Sequence, residues 1–378
     1  MKRNRPGAAI SVLTAAALLL SGCSKPHTAL AYASGARVDC GGKQAITASG
    51  SSAQANAMTS FIAAFNKACK GQQSLTYTPN GSGAGVNDFL AGKTDFAGTD
   101  VPLTDEQYVA AKQRCGGNEA WNLPVVFGPI AITYNLNAVD NLVLDASTLA
   151  RIFNGSITRW DDPAIGALNT SMPPEDIHVV YREDPSGTTA HFQAYLQAAS
   201  GGAWDKGTGK IFTGGVGTGA HGNQGTAAEV KNTEGAISYN EYSFALQQNL
   251  FASQIKTSAS RKSLRPVRIG ADTVGKTISN AKIIGKGNDL VLDLSGFYNP
   301  SQPDVYPIVM VTYEVVCSKY PNADVAQAVK AFLQAAVGPG QADLDKHGYI
   351  PLPPDFQSRV FGAIDTMTAT PGTNGLTG

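Results

Sequence analysis

The sequence predicts an α/β protein folded in two lobes, and three observations carry that reading. A short strand runs into a Ser/Gly/Thr-rich turn and then an amphipathic helix three times, with turns at residues 49–53, 81–85 and 186–189. In open α/β sheets, ligands bind where such turns converge at the carboxyl ends of strands. Two long β-rich segments, residues 123–135 and 306–316, suit strands that cross between lobes, the first interrupted by Gly128-Pro129 as a hinge. The chain also has 378 residues, 43% apolar and 15% charged, which is enough for two cores.

Taken in order, residues 1–22 stand outside that fold. Lys2, Arg3 and Arg5 precede an apolar run over 8–20, and Leu20-Ser21-Gly22 lead into Cys23. A charged start, a short apolar stretch and small residues before a cut make a secretory signal. The run is too short for a membrane-spanning helix, which takes about 20 apolar residues. Small residues running straight into cysteine resemble the bacterial lipobox, which implies a lipid on Cys23. Residues 23–37 have no period and read as a tether.

Removing the signal takes away three basic residues and no acidic ones, so 29 basic side chains become 26 against 29 acidic, a net of −3. Nucleic acid, which needs a strongly basic surface, is excluded as a partner. With Cys23 set aside, Cys40, Cys69, Cys115 and Cys317 remain, an even count that predicts two disulfides in an exported protein. Three pairings are open. Cys69–Cys115 with Cys40–Cys317 is the expected one, because it keeps the shorter loop local.

Within the fold, residues 45–48 read as a strand, and Met58, Phe61, Ile62 and Phe65 mark one helical face. Residues 75–78 and 94–97 are strand-like, Val86, Phe89 and Leu90 lie on a helix between them, and Thr104 caps a helix over 105–114. Helices are expected over 147–153 and 161–168, and a strand over 177–181. Phe192, Tyr195, Leu196 and Ala199 line the helix after it. Residues 200–235, rich in Gly and Lys, read as loops. Residues 236–239 and 291–294 are strands, 323–336 a helix, 348–354 a turn, and 366–378 a disordered tail.

The stretch from Asn80 to Asp100 is the informative one. Its glycines let successive N–H groups point into one concavity, and a helix N-terminus adds partial positive charge, so it makes an anion seat. Asp100 at its edge would repel an anion unless the anion carries a proton for the carboxylate to accept. Phosphate keeps a proton at neutral pH and sulfate does not. Arg182, at the end of its strand, supplies a fixed cation whose planar fork suits tetrahedral oxyanions, and Asp184 is placed to hold it.

Four segments carry a family resemblance: Ala-Ser-Gly-Ser-Ser (48–52), Asn-Gly-Ser-Gly-Ala-Gly-Val (80–86), Thr-Asp-Phe-Ala-Gly-Thr-Asp (94–100) and Arg-Glu-Asp-Pro-Ser-Gly-Thr (182–188). Over roughly residues 40–365, in order and spacing, the chain resembles the phosphate-binding lipoproteins of high-affinity phosphate ABC transporters. The resemblance implies a type II periplasmic-binding-protein fold, with mixed sheets flanked by helices and the ligand between the lobes. Lobe one is then 38–127 plus 300–365 and lobe two 128–299, with hinges near 126–130 and 296–305. The implied phosphate-binding positions are Ser52, the backbone of Ala53, Ser82, Asp100, Arg182, Ser186, Gly187 and Thr188, with Asp184 orienting the arginine. Many relatives have Thr-Phe where this chain has Ser52-Ala53, and another residue where it has Pro185.

The expected function is capture of inorganic phosphate and its delivery to ABC permease subunits, by a monomer anchored through Cys23 to the outer face of the cytoplasmic membrane. No cofactor, metal or catalytic residue is expected. The competing expectations are a secreted phosphatase or phosphoesterase using the same seat, and a binding protein for another oxyanion. No Gly-x-Ser-x-Gly elbow surrounds Ser82 or Ser186, and the five histidines lack ligand spacing. Residues 270–277 match the P-loop pattern G-x-x-x-x-G-K-[ST] but lack a long following helix. That match is read as chance.

Overall fold

The computed structural model describes residues 37–137, 139–259 and 265–370. The signal, Cys23, nearly all of the tether and residues 371–378 lie outside the described residues. The first lobe opens with β1 (Ala45–Gly50), α1 (Ala55–Ala68), β2 (Ser74–Thr78), α2 (Ser82–Leu90), β3 (Phe96–Thr99) and α3 (Asp105–Arg114). β1 pairs in parallel with both β2 and β3, so the turns after all three leave the same edge of the sheet. α1 buries Met58, Phe61 and Phe65, the face its spacing predicts. Thr104 and Gln107 cap α3 reciprocally, side chain to backbone in both directions.

β4 (Ala120–Tyr134) leads out of this lobe. The second lobe contributes β5 (His178–Arg182), α4 (Gly187–Ala199), β6 (Thr218–Ala220), α5 (Gly222–Asn232) and β7 (Ala236–Glu241). The chain returns through β8 (Val309–Cys317) and α6 (Ala323–Val337). One nine-stranded sheet results, in the order β2-β1-β3-β8-β4-β7-β5-β6, with a two-residue strand, Phe251–Ala252, also on β4. Phe332 of α6 stacks on Phe96 at 5.1 Å in the first lobe, and Phe192 stacks on Tyr239 at 4.5 Å in the second. Each such ring, fully buried, contributes about 1.5–3 kcal/mol.

β4 is unbroken, where a break at Gly128-Pro129 was expected. Its partner changes there instead. It pairs antiparallel with β8 as far as Pro129 and with β7 from Ile130 onward. Proline has no N–H for a ladder, so a change of partner is a place that tolerates it. On the return, the Ile130 N–H donates to the Ile308 carbonyl at 2.8 Å.

Four expectations need correction. The disulfides are Cys40–Cys69 and Cys115–Cys317, not Cys69–Cys115 with Cys40–Cys317. Cys115 ends α3, and a short return brings Ala120 beside Cys317 at the end of β8, which sets Cys115 against Cys317. That leaves Cys69, at the end of α1, for Cys40, and this loop is shorter than the one expected. Residues 200–235 are not all loop, since they include β6 and α5. The tail is ordered through residue 370, because Thr368–Ala369 pairs in parallel with Lys319–Tyr320. Residues 289–290, expected in lobe two, bond to the first lobe. The Asn122 N–H donates to Asp289 at 2.7 Å and the Leu290 N–H to the Asn122 carbonyl at 3.0 Å.

The P-loop-like stretch forms a helix of eight residues, Ala271–Ile278, and the Thr277 hydroxyl is spent on the Tyr306 carbonyl at 2.6 Å.

A candidate anion-binding site between the lobes

From the first lobe come two turns and Asp100. β1 ends at Gly50 and the chain turns through Ser51, Ser52 and Ala53, all buried, before α1. The Ala53 N–H donates to the Ser51 hydroxyl at 3.1 Å, and the Ala53 carbonyl accepts from the Tyr349 hydroxyl at 2.6 Å. α2 starts at Ser82, whose hydroxyl accepts from the Asp100 N–H and donates to Asp100 Oδ2, both at 3.2 Å. Asp100 Oδ1 accepts from the Thr312 hydroxyl of β8 at 3.0 Å.

The second lobe supplies the cation. Arg182, at the end of β5, is 1% exposed. Its Nε donates to Asp184 Oδ1 at 2.7 Å and its Nη2 to Asp184 Oδ2, a bidentate fork. Its Nη1 is buried without a partner. Asp184 also accepts from the Gly222 N–H at 3.0 Å. Ser186 caps α4, its hydroxyl accepting from the Thr189 N–H at 3.2 Å, so the helix N-terminus at Gly187 and Thr188 faces the same space.

The two sets of turns meet directly. A Cβ on Gly187 would lie 2.4 Å from the Asp100 Cβ, and one on Gly81 would lie 2.4 Å from Asp184 Oδ2. Gly81 also has φ 98°, a left-handed conformation that glycine adopts without strain. The Gly83 N–H donates across the cleft to the Pro185 carbonyl at 3.0 Å, and the Asn56 amide to the Ser243 hydroxyl at 2.8 Å. Every residue expected at the site is therefore buried at one inter-lobe junction.

The charges there are arranged unequally. Burial works against ionisation of Asp184, but the Arg182 guanidinium and the Gly222 N–H hold its carboxyl below the ordinary range. Burial pushes the Asp100 carboxyl up, opposed by the Ser51 hydroxyl, His191, Thr312 and Arg182. Burial also pushes Glu241 and Glu314 well above the usual carboxylic range, with the Asp100 charge adding to both. Glu314 has the Gln54 amide as a polar neighbour, but neither of its oxygens has a partner of normal hydrogen-bond geometry. His191 Nε2 lies 2.6 Å from the Asp100 carbonyl, which can only accept, so that nitrogen carries the proton. Its Nδ1 then accepts from the Tyr298 hydroxyl at 2.7 Å, and burial keeps the ring's pKa low.

Residues 31–337 match the family model of the PBP superfamily domain. A phosphate-binding protein PstS3 of Mycobacterium bovis is 57% identical over 374 residues, covering 97% of this chain and all of that protein. A phosphate-binding protein PstS 2 of Mycobacterium tuberculosis is 52% identical, with the same coverage. The chain belongs to the PstS family of phosphate-binding proteins. Among solved structures, a high-affinity periplasmic phosphate-binding protein bound with phosphate superposes with a TM-score of 0.68 at 20% identity, covering 84% of this chain and 93% of that one. That likeness shows the fold, the two-lobed α/β arrangement expected from the sequence.

Against what the PstS resemblance implies, the structure adds partners that sequence reasoning missed. Asn223, at the start of α5, donates through its N–H and its Nδ2 to the Ser52 hydroxyl at 3.0 and 3.2 Å. Gly-Asn-Gln-Gly looks like loop, and Gly222 has φ 69°, so no helical signal announces it. Thr312 and Glu314 did leave a signal. They are polar at i and i+2 in an apolar run, hence on one face of a strand.

Proposed function

We propose that this chain captures inorganic phosphate between its lobes and delivers it to the permease of an ABC transporter. The observation that carries the reading is the buried Arg182, locked by Asp184 with one Nη left over, beside a buried Asp100 bonded to Ser82 and Thr312. In this reading Arg182 is the counter-charge. Ser52, Ser82, Ser186, Thr188 and the N–H groups of Ala53 and Gly187 donate to the anion, the Ala53 N–H leaving Ser51 and the Ser82 hydroxyl proton leaving Asp100 to do so. Asp100 accepts the proton that phosphate retains, and a fully deprotonated anion offers it none. A few charge-assisted hydrogen bonds, each about 1.5–3 kcal/mol, reach micromolar affinity or better.

The lobes in this reading are 38–127 plus 300–365 and 128–299, with residues 289–290 held against the first lobe, and they open about hinges near 126–130 and 296–305. The contact between Ile130 and Ile308 supports placing the return strand's pivot at its start. The permease recognises the closed form. The protein works as a monomer outside the cytoplasmic membrane, held by a lipid on Cys23, and has no catalytic role. No helix among the described residues is long and apolar enough to cross a membrane.

Titration calorimetry of the purified protein with phosphate and with sulfate tests the ligand. Tight phosphate binding with sulfate at least about 100-fold weaker is expected, and equal affinities would refute the role given to Asp100. Mass spectrometry of protein from membranes tests the anchor. Diacylglycerol mass on Cys23 is expected, and an unmodified residue there would refute it.

A further inference from the structure

We propose that Asn223 is a positioning residue that makes the Ser52 hydroxyl an obligate donor toward the anion and biases the Thr188 hydroxyl the same way. The inference rests on the phosphate reading above. Asn223 is fully buried. Its backbone N–H and its Nδ2 both donate to Ser52 Oγ, at 3.0 and 3.2 Å. A hydroxyl has two lone pairs and one proton, so a single residue fills both acceptor sites of Ser52 and its proton must point away from Asn223. The same Nδ2 donates its other proton to Thr188 Oγ1 at 3.3 Å, which directs that hydroxyl's proton elsewhere too.

The amide cannot be turned round. Its Oδ1 accepts from the Glu241 N–H at 2.8 Å, and a flipped amide would set NH2 against that donor. The Asn240 amide further braces the Asn223 carbonyl at 3.2 Å. Ser52 belongs to the first lobe and Thr188 to the second, so one side chain orients a donor on each wall as the lobes meet. Thr188, on the same lobe as Asn223, is aimed before the anion arrives and Ser52 is aimed as the lobes close, so neither donor has to search for its orientation in the bound state. A hydroxyl free to rotate would present lone pairs to the anion part of the time.

A double-mutant cycle in phosphate affinity separates orientation from mere packing. Asn223→Ala in the otherwise unaltered protein should weaken phosphate about 10- to 100-fold, the effect of one or two charge-assisted donors. In a Ser52→Ala, Thr188→Val background the same change should cost less than about 3-fold, because no hydroxyl is left to orient. Should Asn223→Ala not fold, Asn223→Asp replaces it. That change keeps the acceptor for Glu241 and the shape, removes both Nδ2 donors and leaves the backbone N–H on Ser52. Its added charge weakens phosphate in both backgrounds, and the expected contrast is the extra loss where the hydroxyls are present. Equal losses in both backgrounds would overturn the inference and leave phosphate binding standing. Failure of the unaltered protein to bind phosphate would overturn the phosphate reading and this inference with it.

Discussion

Asp100 and Asp184 stand on opposite walls of the cleft, and almost everything about them differs. Asp184, on the second-lobe wall, is gripped by a bidentate arginine and a backbone N–H and held below the ordinary carboxyl range. Asp100, on the first-lobe wall, has hydroxyl partners and sits near two more buried acids, and its pKa is raised. A carboxylate with a dedicated cation is a structural part whose charge is already spent. One held by neutral donors keeps a charge, and a proton affinity, that a ligand can use.

Breaking the pair on the second wall has the largest expected effect. Arg182→Ala leaves Asp184 charged, buried and unpaired, which costs about 3–5 kcal/mol of stability and removes phosphate binding. Melting curves and calorimetry read the two losses. Replacing both residues, Arg182→Met with Asp184→Leu, should return most of the stability and none of the binding. If binding returned as well, the cation would not be the anion's partner.

The two walls should also separate by pH. The depressed pKa of Asp184 contributes stability that is present above its unfolded pKa and lost as pH falls through the folded value. The raised pKa of Glu314 works the other way. Its contribution is complete below the unfolded pKa and is lost as pH rises through the folded one. Denaturant titrations across pH should therefore show Asp184→Asn flattening the acid limb and Glu314→Gln flattening the alkaline limb. The same limb affected by both would contradict the assignment.

The smallest effect is expected at β8. Thr312→Val removes one hydroxyl from Asp100 Oδ1, which raises that carboxyl's pKa further, since the lost bond favours the charged form. Phosphate affinity should fall about 3- to 10-fold at neutral pH, the range for one hydrogen bond, and the loss should shrink as pH rises. A loss that is flat with pH would mean the hydroxyl acts only on packing.

Much of this arrangement could be read from the chain before its structure. The turns at 49–53, 81–85 and 186–189 announce themselves through Ser and Gly at fixed distances from amphipathic helices, and the helix capped by Thr104 begins where its local chemistry requires. Asp100, Arg182 and Asp184 stand out because charge is unexpected at the ends of apolar strands. What escaped depends on long-range pairing. Asn223 is ordinary until α5 carries it to a turn 171 residues away. The disulfides follow which helix ends lie beside which strand ends, and loop length alone did not reveal that. The hydrogen bonds of residues 289–290 to Asn122 have no local signature at all.

The central claim is that Asp100 selects a protonated anion, and the ratio of phosphate to sulfate affinity in Asp100→Asn against the unaltered protein tests it most directly. An amide can donate where the carboxylate only accepts. Phosphate should weaken about 10- to 100-fold and sulfate should strengthen, so that the ratio collapses by 100-fold or more. A ratio unchanged by the substitution would contradict the account.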